Sequence, residues 1–302
     1  MLGRAVGVAF GVPLAYFLAR GRIPAHLKPR MAALFGLGGA QGAVGAWMVQ
    51  SGLDMDPKQR QEIRVSPYRL ATHLGMAFTT YSLLLWTALD VFQPKAITRA
   101  AVSQIPLPTL PKLAAVRGSA VATAALVFTT ALSGAFVAGN DAGRAFNTFP
   151  TMDGHWVPPG ALDLEPVWRN AFENTATVQF DHRALALAST TAVASTFVLA
   201  RRGNVWALLP QSTKVAVTGM VGMVGVQVSL GVSTLLLYVP LELAAAHQLG
   251  SLVLLSFATA AAHSLKGVAL RSVAPVALAG TGMVAAPALA LSSFSTKGDL
   301  AK

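Results

Sequence analysis

Residues 172–189 read FENTATVQFDHRALALAS. Polar residues run straight into a long apolar segment, and Asp181, His182 and Arg183 sit side by side in its first turn. Ionisable side chains at the mouth of a membrane helix are costly to keep, and those that persist have partners and a task. The rest of the chain is therefore read as the frame that gives His182 a partner.

Composition sets the frame. Of 302 residues, 54% are hydrophobic and 12% are charged, against about 25% charged in a soluble domain. Mean hydropathy is +0.55. Seven apolar segments reach or approach the ~20 residues that span a bilayer, so the expected fold is an all-α polytopic membrane helix bundle. The alternating apolar/polar pattern of a membrane β-barrel is absent from the sequence. The net charge of +11 would suggest nucleic acid in a soluble protein. Here Lys and Arg cluster in short connections, which points to membrane topology and to no nucleic-acid partner. With no Cys in the chain, disulfides, iron–sulfur clusters and thiolate haem ligands are excluded.

Outward from the opening stretch, helices are expected over 5–19, 31–50, 70–92, 119–139, 177–200, 215–239 and 243–265. The first could pass for a signal peptide, but Arg20, Arg22, Lys28 and Arg30 follow it as a stop-transfer flank. The second carries Gly36, Gly38, Gly39, Gly42 and Gly45, a face that lets helix backbones pack closely. A tail segment, 273–291, is rich in Ala, Gly and Pro and is a weak eighth candidate. The longest connection, 140–176, holds acids, Pro and aromatics, and a loop of that length is usually functional or disordered. Lys95, Arg99, Lys112, Arg117, Arg201, Arg202 and Lys214 lie in alternate connections, which places those on the inside and 140–176 on the outside. Lys58, Arg60, Arg64 and Arg69 break that rule, and binding an anion is one reason for them to do so.

On this topology His73, His182 and His247 each lie three to five residues inside the outer end of their helix, roughly 5–8 Å deep at 1.5 Å per residue. Each alone could be an interfacial histidine bonded to a neighbour. Three in register on three helices point instead to metal or haem ligation, because neutral imidazole is a common iron ligand. Two ligands to one haem come from opposite faces, which a helix bundle supplies. His182 and His247 are the candidate pair. His26 and His263 read as solvated or interfacial, and His155 as a cover over the site. Arg69 shares a helix face with His73, and Arg183 adjoins His182. Together with Arg144 they are candidate contacts for ligand carboxylates, with snorkelling to headgroups as the other reading.

The sequence also repeats. Gln41-x-x-x-Gly45 and Gln227-x-x-x-Gly231 are related by a shift of 186 positions, and LATHLG around His73 resembles AAAHQLG around His247. The same shift applied to His182 falls before Met1, so the chain reads as the last seven helices of an eight-helix pattern. Residues 1–117 would be an incomplete first unit, 118–265 a complete second unit and 266–302 a tail.

VSPYRLATHLG (65–75), SGAFVAGNDAG (133–143), FNTFPTMDGHWVP (146–158), FENTATVQFDHR (172–183) and LAAAHQLGS (243–251) together resemble the haem A synthase family, most closely its mitochondrial and α-proteobacterial branch. The resemblance covers residues 3–265 and implies two four-helix units. The second holds haem b through histidines matching His182 and His247. The first handles haem O, with His73 matching one of its two histidines. It also implies oxidation of a haem O ring methyl to a formyl, for cytochrome oxidase. Further expectations are a ferredoxin-like electron donor, a homo-oligomer, and the mitochondrial inner membrane, or a bacterial plasma membrane. The family's Glu, three residues before its first-unit histidine, would lie upstream of Met1, so no catalytic residue is assigned. The chain is thus expected to be an N-terminally truncated member or one with a misassigned start. Two other readings stand beside it: a non-catalytic b-type cytochrome or haem carrier, and a transporter, which would place its site nearer the midplane on broken helices.

Overall fold

The computed structural model describes residues 2–53, 64–92 and 105–268. Among them are seven long helices: α1 Leu2–Ala19, α2 Lys28–Leu53, α3 Pro67–Phe92, α4 Leu110–Gly139, α5 Thr175–Arg201, α6 Gln211–Leu236 and α7 Leu241–Ser264. No strand occurs among the described residues, and one isolated bridge pairs Met152 with His155. Helices α2 to α7 are each long and apolar enough to cross a membrane; α1, with Pro13 inside it, offers a shorter apolar stretch, Gly3–Ala19. The protein is an all-α, multi-pass membrane helix bundle. The candidate segment 273–291, along with Lys58, Arg60, Lys95 and Arg99, falls outside the described residues.

Several helices begin earlier than the apolar pattern suggests. Pro67 opens α3, Pro240 caps α7, and Pro111 sits in the first turn of α4. Proline is pre-organised for a helix start, where its missing N–H is not needed. Asn174 caps α5 by accepting from the backbone N–H of Ala176 and Thr177, so the polar stretch before the apolar run is already helical.

Helices α4 to α7 close a ring: α4 packs on α5, α5 on α6, α6 on α7 and α7 back on α4. Against it lie α3, touching α4 and α7, then α2 against α3 and α1 against α2. Close packing of α6 and α7 is concentrated in their inner halves, while α5 is also buried at its outer end, Ala176–Gln179. The buried residues of α6 are Thr213, Ala216, Val217 and Met220, all in its first ten positions, while those of α7 begin at Gly250. Leu113, Val116 and Ala120 of α4 join them with no exposure. The helices are thus pinned together at their inner ends, and the histidines lie beyond that core.

The inner ends of α2, α3 and α7 meet at Asp90. Its carboxylate accepts from Arg30 at 2.6 Å and from His263 Nε2 at 2.8 Å, and it is also bonded by Lys266. His263 has no exposure and stacks edge-on against Trp86. This corrects the reading of His263 as solvated or interfacial: its partner is 173 residues away in sequence, beyond the reach of local pattern.

Candidate functional site

The three histidines sit six residues into α3 (His73), seven into α5 (His182) and six into α7 (His247). At 1.5 Å per residue that is roughly 9–11 Å of helix, deeper than expected because the helices start earlier. The common depth itself is kept.

Each imidazole rests on a glycine of the neighbouring helix. A methyl group added at Gly45 would lie 3.0 Å from His73 Cε1, one at Gly134 3.3 Å from His182 Cε1, and one at Gly231 2.8 Å from His247 Cε1. Only the absence of a side chain lets the rings lie so close to the helix beneath. The repeat supplies a second contact. Gln41 Nε2 donates to the His73 backbone carbonyl at 3.0 Å, and Gln227 Nε2 donates to that of His247 at 2.9 Å. The Gln-x-x-x-Gly spacing therefore places an amide and a ring seat one turn apart on one face.

His182 and His247 face each other with ring centroids 6.4 Å apart and ring planes at 77°. An ion taking one nitrogen from each ring at about 2.0–2.1 Å needs ring centres roughly 6 Å apart. The ring separation therefore matches that of a single ion ligated from two sides. The donor set suits haem iron: two neutral nitrogens on different helices, with no third His, Cys, Asp or Glu grouped with them among the described residues. The Nδ1 atoms of His73 and His247 are buried without a hydrogen-bond partner, whereas His182 Nδ1 lies 2.7 Å from Ser133 Oγ.

The three arginines separate. Arg69 donates to the Trp47 carbonyl at 2.7 Å and lies over the Trp47 ring at 4.6 Å, so it faces α2 as His73 does. Arg144 is exposed in a short turn after α4. Arg183 reaches up into the long outer loop, donating to the carbonyls of Phe146, Thr148, Pro150 and Thr151 and to Gln179 Oε1. Arg64, a base on the unexpected side, is paired with Asp141 at 2.6 Å.

That loop is fixed by side chains the motifs carry. Gln179 donates to the Ala142 carbonyl at 2.6 Å, and Asn147 bonds the Leu235 carbonyl at the end of α6 at 2.7 Å. Asn170, 1% exposed, accepts from the Leu164 N–H and donates to the carbonyls of Leu164 and Val167. Glu173 takes Arg169 at 2.5 Å and the Tyr68 hydroxyl at 2.7 Å, tying the loop to α3. Arg169 first, and Tyr68 second, hold the Glu173 carboxyl below its usual range, and Glu173 in turn raises Arg169. The segment over His182 is thus a bonded cap. His155, exposed, keeps its Nδ1 on the Asp153 carbonyl. An apolar groove of about 440 Å³ between α3 and α4, lined by Tyr68, Met76, Phe128 and Leu132 among others, includes none of the three histidines.

Comparison with known proteins agrees with the expected family. The family model described as "COX15-CtaA: Cytochrome oxidase assembly protein" matches residues 1–259. The chain is 46% identical over 262 residues to heme A synthase COX15 of Arabidopsis thaliana, covering 85% of this chain and 54% of that protein. It is 48% identical over 258 residues to heme A synthase COX15 of Bos taurus, covering 85% and 59%. Against heme A synthase of Nitrosospira multiformis it is 42% identical over 258 residues, covering 85% and 67%. The chain spans between half and three fifths of the length of the COX15 proteins it matches. The chain belongs to the COX15-CtaA family of cytochrome oxidase assembly proteins.

Proposed function

We propose that this protein is a haem A synthase: it oxidises a ring methyl of haem O to a formyl, giving haem A for cytochrome oxidase. The observation that carries the reading is the His182–His247 pair, 6.4 Å apart and each seated on a glycine, in a chain whose relatives bear that name. His182 and His247 would hold a resident haem b, which supplies one-electron transfer when bound. His73, on the matching seat of the other half, is the proposed ligand to the substrate haem.

The chain's own residues account for three tasks. Gly134 and Gly231 let the imidazoles approach the helix backbones, so both rings project from rigid elements. Arg183, with Gln179 and Asn147, holds the outer loop over the pair and limits the access of water. Because Arg183 is committed to four loop carbonyls, we assign it to that cap rather than to a propionate. Arg69 and Arg144 remain the proposed propionate contacts, Arg69 on the His73 side. Residues 1–117 are the proposed substrate half and 118–265 the proposed cofactor half, a boundary that falls within the first turns of α4; 266–302 is the tail. The membrane is proposed to be the mitochondrial inner membrane or a bacterial plasma membrane, with a ferredoxin-like electron donor and a homo-oligomeric state.

The test is product formation. Membranes from cells that make haem O but lack any other haem A source are to be extracted after expression of this protein. Haem A in the extract supports the reading. Haem b bound to the protein with haem O left unconverted would replace it with the non-catalytic cytochrome.

A further inference from the structure

Three histidines share one kind of seat, yet one of them has a partner the others lack. Ser133 lies on α4 next to Gly134, the glycine beneath His182. Its Oγ is 2.8 Å from the Thr130 carbonyl and 2.7 Å from His182 Nδ1. A serine hydroxyl has one hydrogen and two acceptor lone pairs. The Thr130 carbonyl can only accept, so it takes that hydrogen. Both bonds are made together only when His182 donates Nδ1–H to the serine oxygen. The tautomer is thereby fixed, and Nε2 keeps its lone pair as the free donor atom. The surroundings hold this in place: Thr130 Oγ1 gives its one hydrogen to the Leu126 carbonyl at 2.8 Å and accepts from Ser189 Oγ at 2.8 Å, tying α4 to α5 beside the ring.

His247 is treated differently. Gln227 grips its backbone carbonyl, while its Nδ1 is buried without a partner. The two imidazoles facing each other are therefore unequal. One carries a side-chain hydroxyl on its ring nitrogen, and the other does not. A hydrogen bond to the far nitrogen of a ligating imidazole fixes ring orientation and raises ligand basicity.

We propose that Ser133 is a positioning residue that strengthens electron donation by His182 and so sets the redox potential of the haem held there. This rests on the haem reading of His182 and His247. A more basic ligand favours the oxidised metal, so the serine lowers the potential.

The experiment compares the purified wild-type protein with Ser133→Ala and Ser133→Thr, reading haem content by absorbance and midpoint potential by spectroelectrochemical titration. Ser133→Ala is expected to retain haem about 10- to 100-fold more weakly and to shift the midpoint to a more positive value. Ser133→Thr, which keeps the hydroxyl, is expected to return both towards wild type. An unchanged midpoint in Ser133→Ala overturns the proposal and leaves the haem reading standing. Equal loss of haem in both variants also overturns it, because shape rather than the hydroxyl would then decide. A wild-type protein that holds no haem overturns the reading on which it rests.

Discussion

The α2–α3 pair and the α6–α7 pair are built on one mould. Each has a glutamine bonded to the carbonyl of a histidine, at 3.0 Å and 2.9 Å, and each has a glycine under the ring, where a methyl group would lie 3.0 Å and 2.8 Å from the histidine Cε1. Both leave the same two atoms buried and unpartnered, the glutamine Oε1 and the histidine Nδ1. They differ in what stands opposite. His247 faces His182 across 6.4 Å inside a closed ring of helices. His73 has Gln41 Nε2 at 3.4 Å, and no second histidine faces it among the described residues. The mould makes one imidazole available, and the element placed opposite makes the difference between one ligand and two.

The sharpest break in that comparison is to fill the seats. Gly231→Ala drives a methyl to 2.8 Å from His247 Cε1, closer than side chains tolerate. It is expected to cut bound haem b more than tenfold, as loss of a ligand's support does at the strong end of its range (about 10- to 100-fold). Gly45→Ala, at 3.0 Å from His73, is expected to leave haem b absorbance unchanged and to lower haem A yield. Equal effects on haem b from the two substitutions would dissolve the distinction between the halves.

A smaller effect is expected where the halves are tied at their inner ends. Asp90→Ala leaves Arg30, Lys266 and the fully buried His263 without their shared anion. Removing one member of a buried network costs about 3–5 kcal/mol and of an exposed pair about 0–1. Asp90 is 21% exposed and Lys266 35%, so roughly 1–3 kcal/mol is expected between those limits. Thermal unfolding in detergent should show a transition lower by several degrees, with Asp90→Asn losing less.

The smallest effect is the outer tie. Glu173 has its folded pKa depressed by Arg169 and then Tyr68, so it favours the folded state above its unfolded value of about 4.3. That contribution is lost as pH falls through the depressed folded pKa. Protease cleavage within residues 160–174 should therefore rise below about pH 4.3, and Glu173→Gln should abolish the pH dependence. A protease profile flat with pH in the wild type would mean that the segment is held without Glu173, by uncharged contacts such as those of Asn170 and Asn174.

Much of this was legible in the sequence. Apolar segment lengths gave the bundle, and the Gln-x-x-x-Gly repeat predicted two equivalent seats around His73 and His247. What the sequence hid were partners separated along the chain. Ser133 and His182 are 49 residues apart, and Asp90 and His263 are 173 apart, so no helical spacing connects them. Arg183 read as a ligand contact because its depth and charge were visible while the path of 146–151 was not; the loop carbonyls curl back to meet it. Prolines 67, 111 and 240 read as connection, although proline in a first turn starts a helix as readily as it ends one.

The central claim is that His182 and His247 jointly ligate one haem. It is tested most directly by the absorbance and electron paramagnetic resonance of the purified protein beside His182→Ala, His247→Ala and His73→Ala. The account predicts a six-coordinate, low-spin haem b in the wild type and in His73→Ala, and its loss or conversion to a high-spin form in each of the other two. A low-spin haem b that survives in His182→Ala or His247→Ala would contradict it.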